Sequence, residues 1–203
     1  MNRENTRRER YDMKLANAIV MPAAIVAVNF DSDDNIAFLI RSAVCFGIAD
    51  LFVIGRLPER SSLNSKSGSL YDYINIKSFK TPSDFLRFAE ESGYKVVACE
   101  LTDGANVLHE YSFDFDTKTA LVVGHETHGV PSELLFRNDI VYIPMLGPGY
   151  CLNTSQAGTA VMQEYARQYY VKASASKRDK VSNRIPRMSE QTASEIGWID
   201  IGE

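Results

Sequence analysis

The sequence of 203 residues predicts one α/β domain, a mainly parallel sheet with helices on both faces. Its apolar segments are near-continuous rather than alternating, the pattern of strands buried on both sides. They are separated by helical patterns, as in a chain of βα units. At 45% hydrophobic and 24% charged residues, the composition is that of a compact domain rather than a disordered chain.

Residues 1–19 read as a basic helical extension, with Arg3, Arg7, Arg8, Arg10 and Lys14 against Glu4, Glu9 and Asp12. The β-branched run 24–28 (AIVAV) is a strand, and Asp31 to Asp34 supply capping chemistry for a helix over 35–47 that Gly47 closes. Residues 51–55 (LFVIG) form a second strand, and the serines at 61, 62, 65, 67 and 69 with Gly68 mark an irregular segment. Thr81-Pro82 opens a helix with Phe85, Leu86 and Ala89 as its apolar stripe. Three short strands follow at 95–101 (KVVACEL), 119–124 (TALVVG) and 140–144 (IVYIP), and residues 154–171 form the last helix. The domain therefore runs over 20–171, and 172–203 is an arm, basic then acidic, with too few apolar residues for a core of its own.

The net charge of -4 excludes an overall positive field. Its distribution is uneven: residues 19–171 sum to -7, while 1–18 carry +2 and 172–187 carry +5. An acidic body with two basic flanks suits capture of a polyanion by the flanks, and a solvated tail is the plainer account of such a charge run. Cys45, Cys99 and Cys151 form no Cys-x-x-Cys pair, which fits a reducing cytoplasm. The longest apolar run, 19–28, is ten residues broken by Pro22, so no membrane segment or signal peptide is expected.

Ligands of parallel sheets bind beyond the carboxyl ends of the strands, and three unusual clusters follow such ends. In Asn29 to Gly47 (NFDSDDNIAFLIRSAVCFG), Arg41 has only Ala37, Phe38, Val44 and Cys45 as helical neighbours. It either snorkels at the core rim or offers a guanidinium to an anion brought by a ligand. In Val123 to Leu134 (VGHETHGVPSEL), glycines bound a loop; His125 and His128 are three apart in that loop, not four apart on a helix, so no metal is expected. In Ile143 to Gly158 (IPMLGPGYCLNTSQAG), a glycine-proline loop precedes a helix capped by Asn153 or Thr154. The small residues Ala157, Gly158 and Ala160 there admit another helix or an adenosine. The dinucleotide fingerprint is absent, which disfavours a nicotinamide enzyme.

Together, in this order, the clusters resemble the three motifs of the SpoU branch of the SPOUT RNA methyltransferases. The resemblance spans about 20–170. It rests on Asn35 followed six residues later by Arg41, on Gly124-x-Glu126-x-x-Gly129, and on IPML, a glycine loop, Leu152-Asn153 and the small-residue helix. Within that branch the chain is most similar to the tRNA guanosine-18 2′-O-methyltransferases, which share the layout of basic flanks.

The resemblance implies a C-terminal trefoil knot, S-adenosyl-L-methionine as cofactor, tRNA as partner, and a homodimer that completes the site. It places Leu101, Gly124, Gly129, Ile143, Met145, Cys151, Leu152, Asn153 and Ala157 at the cofactor, and Arg41, Asn35, Glu126 and Asn153 in catalysis. Arg7, Arg8, Arg10, Lys177, Arg178 and Lys180 are the expected RNA contacts. Three departures stand out: Cys151 where serine is common, His125 where asparagine is, and Ala37 where glycine is. Three alternatives remain: 2′-O-methylation of rRNA or of another tRNA position, a catalytically silent RNA-binding protein of the same fold, and a zinc or thiol hydrolase using His125, His128 and Cys151.

Overall fold

The computed structural model describes residues 6–15 and 18–173 and divides the chain into two units, residues 20–172 and residues 1–19 with 173–203. In the second unit, α1 (Arg7–Leu15) begins with a reciprocal cap: the Glu9 amide donates to Thr6 Oγ1 at 3.3 Å and the Thr6 amide to Glu9 Oε2 at 2.7 Å. Arg7, Arg8 and Arg10 all lie on α1, and Arg8 is exposed. Lys177, Arg178 and Lys180 lie outside the described residues.

Residues 20–172 form one sheet of seven strands among the described residues: β1 (Ala23–Val28), β2 (Asp50–Ile54), β3 (Asn75–Phe79), β4 (Tyr94–Cys99), β5 (Asn106–Val107), β6 (Lys118–Val123) and β7 (Asp139–Tyr142). The order across the sheet is β3-β2-β1-β6-β4-β7-β5, with every ladder parallel. All carboxyl ends therefore share one edge.

Alternate residues of the central strands face opposite layers. Val26, Phe52, Val96 and Val122 pack with Phe85 and Ala89 of α4 (Pro82–Glu91) and Leu134 of α5 (Ser132–Leu135). On the other face lie α2 (Asp33–Phe46) and α6 (Thr154–Lys172), packed on each other. Their approach requires Gly158: a Cβ there would stand 2.5 Å from Leu39 Cδ2 of α2. The small-residue signal at 158 thus serves helix packing.

Several elements differ from the sequence expectation. The irregular segment over 61–69 contains a helix, α3 (Arg60–Lys66), anchored by fully buried Leu63 and by Ser62 Oγ donating to Asp33 at 2.8 Å. Edge strand β3 has an exposed, polar sequence and so carries no apolar run, and two-residue β5 is too short to signal. The 95–101 strand stops at Cys99, leaving Glu100 and Leu101 in the loop. The acidic residues before α2 do not cap it with side chains; Asp33 and Asp34 occupy its first turn and pair with Arg56 and Lys66. No described helix is long and apolar enough to cross a membrane.

Candidate active site

Beyond the carboxyl ends of β4, β6 and β7 lies a cavity of about 610 Å³, within the range of small-molecule sites. The loop after β4 contributes Leu101, the loop after β6 Gly124, Glu126 and Gly129, and the loop after β7 Ile143, Met145, Cys151 and Leu152. Ala157 closes it from the first turns of α6. Asn35, Arg41 and Asn153 are not among its walls.

Glu126 ties this cavity to the start of α2. Its Oε1 accepts Asn35 Nδ2 at 2.7 Å and the Ser32 amide at 3.2 Å, and its Oε2 accepts the Asp31 amide at 3.1 Å. Burial pushes its pKa up, but donation from Asn35 and from the backbone amides outweighs burial and holds the carboxyl below its ordinary range. Asn35 is only 6% exposed, so the carboxylate is the partner that burial of its amide requires.

The glycine loop is shaped from beneath. A Cβ on Gly124 would collide with the backbone of Gly129, and one on Gly129, whose φ is +67°, with the Glu100 carboxylate. Glu100 accepts the Val130 amide at 2.8 Å and the Leu101 amide at 3.0 Å, which joins the loops after β4 and β6. The neighbouring Cys99 thiol is pushed up to about 12 by burial and then by the Glu100 charge, so it stays protonated.

His125 Nδ1 accepts the Thr127 amide at 3.0 Å, which puts the proton on Nε2, 3.3 Å from Asp31. Asp31, His125 and Glu126 bring one potential ligand atom each within 4.8 Å. Both Glu126 oxygens are already engaged, and the set reads as a hydrogen-bond network around the α2 start.

The SpoU rRNA Methylase family matches residues 22–163, well over half of the sequence. The chain belongs to this family. Among the relatives of this SpoU methylase is a tRNA (guanosine(18)-2′-O)-methyltransferase of Thermus thermophilus, 26% identical over 71% of the chain and 74% of that protein. A 23S rRNA (uridine(2479)-2′-O)-methyltransferase of Streptomyces viridochromogenes is 32% identical, over 68% of the chain but only 50% of that protein. The A. aeolicus TrmH/SpoU tRNA modifying enzyme shares the fold, with a TM-score of 0.70 over 93% of both chains at 21% identity. The SpoU methyltransferase AviRb in complex with AdoMet has a TM-score of 0.63 at 27% identity, covering 73% of this chain and 60% of that one.

In this SpoU methylase the remaining motif residues are dispersed. Asn153 is the α6 cap: its Oδ1 accepts the Ser155 amide at 2.9 Å and the Ser155 hydroxyl at 2.7 Å. Arg41 is exposed on α2 beside Gly68, between Phe38, itself 45% exposed, and exposed Cys45. Six residues at 100° each carry it well off the face that presents Asn35. Sequence reasoning missed Glu100, which it counted into a strand; a carboxylate ending an apolar run at the ligand edge of a sheet was the available signal. Thr154, named from the sequence only as an alternative cap, instead donates its hydroxyl to the Gly124 carbonyl at 2.7 Å and pins α6 to the glycine loop.

Proposed function

We propose that this enzyme methylates a ribose 2′-hydroxyl of tRNA, at guanosine-18, as a cytoplasmic homodimer. The reaction class and cofactor follow from the family: it is an S-adenosylmethionine-dependent RNA 2′-O-methyltransferase. The observation that carries the reading is one cavity at the strand ends, walled by residues of the second and third motifs and braced by the bond between Glu126 and Asn35. The Thermus relative supports guanosine-18 of tRNA, and the 32% identity to the 23S rRNA enzyme favours, as second reading, a ribosomal ribose.

The cavity suits the cofactor: Leu101, Ile143, Met145 and Leu152 offer apolar walls for an adenosine, and Gly124 and Gly129 line it without side chains. When bound, S-adenosylmethionine supplies an electrophilic methyl carbon on a cationic sulfonium. The chain must orient the hydroxyl in line and steady the alkoxide as it forms. We assign the second of these roles to Arg41. A guanidinium is a planar donor with no acceptor, so it holds the adjoining phosphate and the developing alkoxide, and the hydroxyl proton leaves to water or phosphate. No step calls for a metal. Glu126 and Asn35 hold the α2 start, and Asn153 and Thr154 hold α6 against the glycine loop.

Arg41 stands outside the cavity of its own chain, and Leu146 and Tyr150 near the rim are almost fully exposed. Both facts favour a second copy completing the site. The α6 segment follows β7 yet packs back on α2 and β6, which is consistent with a knotted C-terminus. Three free thiols suit the cytoplasm. The basic groups of α1 and of residues 172–187 are assigned to RNA phosphates. The test is mass mapping of ribose methylation on tRNA and 23S rRNA with wild type, Arg41→Ala and Arg41→Lys. Methylation of guanosine-18, lost in Arg41→Ala and poor in Arg41→Lys at unchanged cofactor affinity, is expected. Modification only of rRNA would select the second reading, and normal turnover in either variant would refute the role of Arg41.

A further inference from the structure

Two carboxylates line the cavity, and they differ in what they have left to offer. Glu126 is committed to Asn35, Ser32 and Asp31. Glu100 accepts one backbone amide on each oxygen, Leu101 on Oε1 and Val130 on Oε2. A carboxylate oxygen has two acceptor positions, so each Glu100 oxygen keeps one. Among the described residues Glu100 forms no ion pair. Its two amide bonds come from different loops, which fixes the carboxylate plane at the sheet edge. Gly129, where any side chain would displace Oε2, leaves that carboxylate its place.

Two adjacent acceptors, fixed and half-buried in a cavity wall, match two adjacent hydroxyl donors. We propose that Glu100 binds the ribose cis-diol of the S-adenosylmethionine cofactor and makes the pocket selective for a ribonucleoside. This rests on the methyltransferase reading above. The physics is that by which an acidic side chain at a strand end reads ribose hydroxyls in other parallel sheets. A site built to hydrogen-bond a hydroxyl discriminates strongly against the analogue that lacks it, because its acceptor is then left unpaired.

The test is calorimetric binding to the full chain of S-adenosylhomocysteine, its 2′-deoxy analogue and its analogue lacking the α-amino group. Wild type is expected to prefer the parent over the 2′-deoxy compound by about tenfold or more, roughly 1.4 kcal/mol. In Glu100→Ala that ratio should fall to within about twofold, while the penalty for the missing amino group stays unchanged. Mere loss of the staple between the two loops would weaken all three ligands alike and leave the ratio intact, which would overturn the proposal. Collapse of the amino-group penalty instead would assign Glu100 to the ammonium and overturn it too. Glu100→Gln, of the same shape, covers the case in which the alanine variant does not fold; it should at least halve the deoxy ratio, and an unchanged ratio contradicts the assignment. Failure of wild type to bind S-adenosylhomocysteine at all would instead refute the methyltransferase reading itself.

Discussion

Replacing Glu126 by alanine should destabilise the fold through the start of α2. The carboxylate accepts three donors, and the shortest bond, 2.7 Å from Asn35, comes from an amide 6% exposed. A hydrogen bond to a charged group contributes about 1.5–3 kcal/mol, and an orphaned buried donor costs a comparable amount. The Asp31 and Ser32 amides lie nearer solvent and can hydrate, so they add less. The loss should total about 2–4 kcal/mol, a fall in Tm of roughly 5–15 °C for a chain of this size. The sign of the pH dependence follows from the depressed pKa. Burial raises it, the donors lower it further, and the net folded value lies below the ordinary 4.5. Glu126 therefore contributes stability above that ordinary value, and the contribution disappears as pH falls through the folded value. Urea unfolding of wild type and Glu126→Ala between about pH 7 and pH 3 reads this directly. The gap between them should be widest near neutrality and narrow in acid. A gap below about 0.5 kcal/mol at neutral pH, or one that widens in acid, would refute the reasoning.

Asn153→Ala removes the α6 cap and should cost about 1 kcal/mol in chemical denaturation, with Asn153→Ser recovering most of it; equal stability of all three would contradict the capping role. Gly158→Ala places a methyl 2.5 Å from Leu39 Cδ2 and should cost about 1–3 kcal/mol, partly relieved by Leu39→Ala in the same chain; additive losses would refute that contact. Cys151→Ser should keep or modestly raise single-turnover methyl transfer, since the exposed thiol is proposed only to line the pocket; loss of the chemical step with intact cofactor binding would favour a thiol mechanism.

The central strands were legible because each is buried on both faces, so AIVAV and TALVVG carry their assignment in composition alone. The edges were not. In β3 the exposed Asn75 and Lys77 face water, and pairing with β2 supplies what the sequence does not signal. Helix α3 depends on one buried leucine and a tertiary bond to Asp33, invisible in a run of serines. Most of the cavity was readable, because glycines and prolines at strand ends mark loops that approach a ligand. Arg41 shows the limit of local reasoning: its apolar helical neighbours suggested burial, yet Phe38 and Cys45 are themselves exposed on this chain. Glu100 was hidden because its role arises from Val130, thirty residues away.

The cavity as the methyl-donor site is tested most directly by titrating S-adenosylmethionine into chelator-treated wild type and Ala157→Leu, whose longer side chain enters the cavity from α6. Saturable binding by wild type without metal, weakened at least about tenfold in Ala157→Leu with its fold intact, is the expected result. Equal binding by both proteins would place the cofactor elsewhere, and no binding by wild type at millimolar cofactor would contradict the assignment of the site.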